Sequence, residues 1–257
     1  MREYYTRACN FFYGSEAKKL IFQKKAISLN SKKNVAFSEI ELIKRINKKI
    51  LKKRIKIKNL SKLNLKLKKI IDRDLKNIKK KVNFLNFNLT AEPLLMGVLN
   101  ITPDSFSDGG LFFSKSKAFT QANLMLQAGA KIIDVGGEST RPGSKTIESK
   151  KEWNRIKKTI VNLKIKYPKI LLSLDTRKSD VMKKGIECGI KIINDVSGLS
   201  FDKKSFEVIN SKNIPFILHH MQGTPNTMQI NPKYDDVLLD IYDFFEKKIN
   251  FCKKKKI

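Results

Sequence analysis

Hydrophobic and polar positions change rhythm part-way along the chain. From residue 93 onward, short apolar runs alternate with longer amphipathic stretches. The runs are Leu94–Leu99, Lys131–Val135, Ile170–Leu174, Ile192–Ile193 and Pro215–Leu218. Between and after them lie Lys117–Ala128, Lys150–Lys166, Ser179–Cys188, Lys203–Ser211 and Tyr234–Lys254, whose apolar positions recur at helical spacing. Buried strands alternating with helices predict βα units on a parallel sheet. The pattern fits either a doubly wound sheet or part of a (β/α)8 barrel.

Residues 1–92 follow another pattern. Val35-Ala-Phe37 with Ile40 and Leu42 predicts a short strand running into a helix. Lys52 to Lys81 sets Leu and Ile among Lys at every second or third position, which suits an amphipathic strand or helix equally.

Charge marks the same boundary. The 257 residues carry 54 Lys and Arg against 24 acidic residues, a net of +30. Residues 1–92 hold 26 basic and 7 acidic residues, and the remainder 28 and 17. Only 8 of the 54 are Arg, and aromatic residues are not interleaved with the N-terminal charges as a stacking platform for nucleic acid would need. Nucleic acid is therefore disfavoured as a partner, and the lysines read as a solvated face; a salt-dependent affinity for DNA or RNA would argue the opposite. Three distant cysteines, Cys9, Cys188 and Cys252, give neither a disulfide framework nor zinc spacing. With no apolar run of 18 residues and a polar start, the expectation is a cytoplasmic protein with no membrane span or signal peptide.

Each C-terminal apolar run ends in small and polar residues. After the first comes Asn100-Ile-Thr-Pro-Asp-Ser-Phe-Ser-Asp-Gly-Gly110, and after the second Asp134-Val-Gly-Gly-Glu-Ser-Thr-Arg-Pro-Gly143. The others end Asp175-Thr-Arg177, Asn194-Asp195 and His219-His-Met-Gln-Gly223. In a parallel sheet all these ends lie at one face, where α/β proteins bind ligands. The carboxamide oxygen of Asn100 suits a hard cation that keeps its waters, or else a turn cap. Arg141, between glycines and Pro142, offers a planar fork for an anion. Asp175 and Asn194 together offer acceptors and donors to the edge of a pterin or purine; both also suit helix caps, and the two roles are compatible. Two adjacent histidines on a strand point opposite ways, so one of His219 and His220 can reach the site. Gly-x-Gly-x-x-Gly, Walker and Gly-x-Ser-x-Gly patterns are missing, which disfavours dehydrogenases, NTPases and serine hydrolases.

Met96-Gly-Val-Leu-Asn-Ile-Thr-Pro-Asp-Ser-Phe-Ser-Asp-Gly-Gly110 and Asp134 to Gly143 resemble the two signatures of the dihydropteroate synthases, the folate-pathway transferases that sulfonamides inhibit. Ser173-Leu-Asp-Thr176, Ile193-Asn-Asp195, His220-Met-Gln-Gly223 and Lys233-Tyr-Asp-Asp236 follow in the family's order. The resemblance covers residues 94–255 and implies a (β/α)8 barrel of which the first five βα units are present. It implies condensation of 4-aminobenzoate with a dihydropterin methyl diphosphate, with Mg2+ as cofactor and a homodimer as assembly. In that scheme Asn100 contacts Mg2+ and diphosphate, and Asp175 and Asn194 hold the pterin. Thr140 and Arg141 contact substrate and diphosphate, Phe106 and Pro142 wall the aminobenzoate pocket, and Asp108 orders the first loop. Residues 1–92 form a small basic α/β extension with no assigned role.

Asp-Pro-Gly, Ser-Arg-Lys and Arg-x-His segments, expected later in such a barrel, do not occur. The expectation is therefore a fragment or frameshifted product. The alternatives are an inactive truncated form or another pterin barrel, such as a methyltetrahydrofolate methyltransferase.

Overall fold

The computed structural model describes residues 2–46, 49–102, 115–141 and 143–255. The chain divides into two compact units, Met1–Leu94 and Leu95–Ile257.

The first unit runs β1 (Tyr4–Tyr13), α1 (Gly14–Phe22), β2 (Ile27–Ser28), β3 (Val35–Ile46), β4 (Lys49–Lys56), a 3-10 turn (Ile57–Lys62), α2 (Leu65–Lys79) and the small hairpin β5 (Asn83–Phe84) and β6 (Phe87–Asn88). β3 is the centre of an antiparallel sheet, with β1 along one side and β2 and β4 along the other. The expected strand-to-helix switch after Phe37 does not occur. Ile40 and Leu42 alternate with Glu39 and Glu41, a period of two, and the strand continues to Ile46. Ile40 and Leu42 cluster with Ile55 on β4 and with Ile71 and Leu75 on α2. Glu41 turns to the other face, where its carboxylate sits 2.8 Å from Arg7 on the paired strand.

The ambiguous Lys-rich stretch contains both elements. β4 holds Lys49, Lys52, Lys53, Arg54 and Lys56 exposed along an edge strand, where such charges discourage pairing with other chains. α2 begins where the side chain of Asn64 accepts from the Leu67 amide at 2.9 Å. Its Leu67, Ile71, Leu75 and Ile78 recur at helical spacing and face the sheet cluster.

The second unit runs β7 (Met96–Asn100), α3 (Lys115–Gln127), β8 (Ile132–Gly136), α4 (Ser149–Lys166), β9 (Leu171–Asp175), α5 (Ser179–Glu187), β10 (Ile192–Asp195), α6 (Ser205–Lys212), β11 (Phe216–Leu218) and α7 (Val237–Lys254). The strands are parallel and lie side by side in chain order, from β7 to β11. A doubly wound sheet reverses direction at a switch point, whereas a barrel sheet does not. The order therefore settles the fold as barrel-type α/β.

Ile133, Val135, Leu172, Leu174 and Ile193 point to the helices and are fully buried against Ile156, Ile160 and Leu163 of α4, Val181 and Met182 of α5, and Val208 and Ile209 of α6. Alternation then turns Val98, Asn100, Asp134, Gly136, Ser173, Asp175 and Asn194 to the opposite face. This is how a hydrophobic core positions a polar row.

Helix–sheet contact is closest at Gly185 of α5. A methyl group there would overlap Cδ2 of Leu174, which is fully buried. Gly185→Ala gains about 1 kcal/mol of helix propensity, but overpacking a closed core costs about 1–3 kcal/mol. We expect net destabilisation, read as a lower urea midpoint; an unchanged midpoint would show that Leu174 yields.

Candidate active site

Strand register assembles the site. Asn100 pairs with Gly136, Gly136 with Asp175, and Asp175 with Asn194. These residues form one row at the C-terminal ends of four neighbouring strands. Gly136 is the gap in the row. A Cβ at this position would lie 3.1 Å from Asn100 Oδ1 and 3.4 Å from Asp175 Oδ2. Asn100 and Asp175 therefore reach toward each other over a residue without a side chain. Neither Asp175 nor Asn194 caps a helix: the caps of α5 and α6 are Lys178 and Lys204. The capping role is thereby removed.

Asp134 lies two residues before Gly136 and is buried. Its Oδ2 accepts from Asn194 Nδ2 at 2.8 Å, and its Oδ1 has no hydrogen-bond partner among the described residues. His219, just past the end of β11, brings Nε2 to 2.6 Å from Asn194 Oδ1. His220 turns away into an aromatic group, with ring centroids 4.8 Å from Phe244 and 5.9 Å from Tyr234. The histidine pair thus divides as expected, and His219 is the member at the site.

The row gathers carboxyl groups faster than it gathers cations. Burial, followed by the charges of Asp134, Glu152, Asp195 and Glu138, pushes the Asp175 carboxyl up to about 8. Burial also raises Asp134, against the pull of Ser173, Asn194 and His219. Asp195 is raised by burial as well, although it accepts from Ser197 N and Oγ, both at 2.7 Å, and from Leu199 N at 3.1 Å. Those bonds make Asp195 the brace of the turn after β10.

The loop after β8 carries Ser139, Thr140 and Arg141. Thr140 is half-buried and Arg141 exposed, and Arg141 makes no ion pair with a described residue. Ser144 closes the loop tip, its hydroxyl donating to Ser139 O at 2.6 Å and its amide to Arg141 O at 3.0 Å. Gly143 supports that turn with φ +82°. At the base of the loop, Glu138 Oε1 accepts from the Ile147 amide at 3.0 Å.

Beneath this loop lies a buried charge cluster with no local signature in the sequence. Glu138 receives Arg177 Nε at 2.8 Å and Lys178 Nζ at 2.7 Å; Lys178 also reaches Glu152, which is fully buried. Arg177 continues to Thr146 Oγ1 at 2.8 Å and stacks 4.0 Å from the Phe201 ring centroid. Burial favours the neutral form of Glu138, yet its two cations and the Ile147 amide hold it below the ordinary value. Glu152, more deeply placed, is raised by burial against the pull of Lys178. In the sequence Asp134 opens the second strand-end motif, but nothing there shows that it would hold Asn194.

Of the residues expected at the site, Asn100, Asp175 and Asn194 share the row, and Thr140 and Arg141 follow from its Gly136 strand end. Phe106, Asp108 and Pro142 lie outside the described residues. No helix among the described residues is long and apolar enough to cross a membrane.

The profile of the pterin-binding enzyme family matches residues 96–257. Dihydropteroate synthase of Escherichia coli K12 is 42% identical over 164 residues, which are 64% of this chain and 57% of that protein. A crystal structure of the Yersinia pestis dihydropteroate synthase with a sulfonamide drug complex is 40% identical with a TM-score of 0.58, over 64% of this chain and 58% of that one. The Xanthomonas albilineans dihydropteroate synthase solved with 4-aminobenzoic acid is 32% identical with a TM-score of 0.55, over 66% and 57%. The chain thus spans rather more than half the length of these relatives. The profile match covers both long motifs and every strand of the row, and the chain belongs to the pterin-binding enzyme family.

Proposed function

We propose that this chain carries a dihydropteroate synthase site, which joins 4-aminobenzoate to (7,8-dihydropterin-6-yl)methyl diphosphate. The supporting observation is the juxtaposition of Asp175 and Asn194 in one row with Asn100, at the sheet end from which the Thr140–Arg141 loop emerges. A heterocycle with several N–H donors meets an acceptor and a carboxamide, while an anion meets an exposed guanidinium. The bond from the methylene carbon to the diphosphate oxygen breaks, and its electron pair leaves with diphosphate. The aniline nitrogen forms the new bond to that carbon and loses a proton.

Arg141 and Thr140 bind the diphosphate and take up its growing charge. Asp175 and Asn194 orient the ring so that the methylene carbon is presented to the amine. Phe106 and Pro142 would wall the aminobenzoate pocket, and Asp108 would order the first loop. Among the described residues, no three or more His, Cys, Asp or Glu side chains are grouped to hold a metal. Asn100, whose Oδ1 lies at the strand-end row over Gly136, would offer Mg2+ one neutral oxygen, with water and the substrate's diphosphate supplying the rest. When bound, the ion supplies positive charge to the leaving group. A homodimer is part of the same proposal, checked by light scattering.

The test is calorimetric binding of the pterin diphosphate and of bare 6-hydroxymethylpterin. Arg141→Ala should weaken the diphosphate by about tenfold or more, the loss of one charge-assisted contact, and leave the bare pterin unchanged. Equal losses for both ligands would overturn the role of Arg141, and the absence of binding by either would overturn the site.

A further inference from the structure

Asn194 is held at both ends of its carboxamide. Nδ2 donates to Asp134 Oδ2 at 2.8 Å, while Oδ1 sits 2.6 Å from His219 Nε2. The two ends of an Asn side chain are nearly the same size, so sterics alone leave its donor and acceptor interchangeable. Here the partners decide. Asp134 Oδ2 takes the hydrogen bond of the nitrogen end. The oxygen end then faces His219, which must carry a proton on Nε2.

We propose that His219 is a specificity-determining residue that acts through Asn194: with Asp134 it locks the carboxamide in one orientation. Asn194 then offers the heterocycle one remaining N–H and one remaining oxygen lone pair in fixed order. The lock itself rests on geometry alone; its consequence for pteridines rests on the function proposed above. A ring system that presents donors where the lock expects them is accepted. One that swaps an exocyclic amino group for an oxo group leaves a buried polar group unpaired and is rejected. Pterin, 2-amino-4-oxo, and lumazine, 2,4-dioxo, differ by that swap.

The experiment has two arms on the full 257-residue chain, which contains only two histidines, so their ring signals are readily told apart. Long-range 15N–1H spectra should show the neutral His219 ring as the Nε2–H tautomer. Asp134→Asn, which can donate as well as accept, should release part of it to the Nδ1–H form. An Nδ1–H ring in the unaltered chain, or no response to Asp134→Asn, would overturn the lock. In the second arm the ratio of pterin to lumazine affinity should fall about tenfold in His219→Leu and recover in part in His219→Gln, whose side-chain amide can again donate. An unchanged ratio in His219→Leu would overturn the specificity role. Failure to bind either pteridine would overturn the proposed function and the specificity role that rests on it, while the tautomer measurement still decides the lock.

Discussion

Asp175→Asn should fold more stably than the unaltered chain at neutral pH and, above about pH 8, bind pterin far more weakly. Both effects come from one carboxyl group. In the folded chain burial and four neighbouring carboxylates hold Asp175 up to about 8, whereas the unfolded chain ionises it near 3.8. Between those values the folded state keeps a proton that the unfolded state has released. Stability from this group therefore falls as pH rises through that window and levels off above about 8. Asparagine has no proton to release, so its advantage should open above pH 4 and widen up to about pH 8. Melting temperatures of the two proteins at pH 5 and pH 8 measure this directly. Binding moves the other way above about pH 8, where Asp175 is ionised and asparagine replaces an acceptor-only carboxylate by a mixed group. Hydrogen bonds to a charged group contribute about 1.5–3 kcal/mol, so pterin affinity should drop about 10- to 100-fold. If the ligand selects the carboxylate, affinity of the unaltered chain should also rise with pH up to about 8, since the competent fraction grows. The variant should show no such rise. A variant that binds pterin as tightly as its parent above about pH 8 would remove Asp175 from the site.

Lys178→Met should destabilise the second unit by about 3–5 kcal/mol, the usual result of stripping a buried ion of its partner. Lys178 lies between Glu138 and Glu152. Glu138 would retain Arg177, 2.8 Å away, but Glu152 is fully enclosed and would lose its cation. The folded carboxyl of Glu152 already sits above its ordinary 4.5, so it opposes folding increasingly as pH rises from there. Without Lys178 the shift grows and the window widens. The deficit should therefore be smallest near pH 5 and largest near pH 8 in urea unfolding. Glu152→Gln added to Lys178→Met should recover a large part of the loss, because the double change removes the orphaned charge. A double variant no better than the single one would mean that the cost is cavity formation instead of electrostatics.

The sequence carried the second unit unevenly into view. The strands of that unit could be placed because each is a short apolar run closed by polar residues; Asn100, Asp175 and Asn194 could be singled out because they terminate such runs. What joins them could not. Arg177 meets Glu138 across 39 positions and Lys178 meets Glu138 across 40, distances over which no periodicity speaks. Strand alternation told that one histidine of the pair reaches the site, but only the packing of His220 against Phe244 decided which. In the first unit, Val35–Ile46 was harder to read because its apolar spacing suits both elements: Ile40 and Ile43 sit three apart as in a helix, while Ile40 and Leu42 alternate as in a strand. Pairing on both sides of β3 settles the choice, and pairing is a property of distant segments.

The side-by-side order of β7 to β11 has a consequence for how the protein is made. Each strand needs only the strand synthesised just before it as a template, and each new helix covers a patch of sheet already laid down. The ribosome releases residues at about 5–20 per second, far more slowly than a helix or hairpin forms. The sheet can therefore lengthen at its growing edge while translation continues. A nascent chain built in this way adds one uncovered strand at a time, which limits the period in which each is open to aggregation.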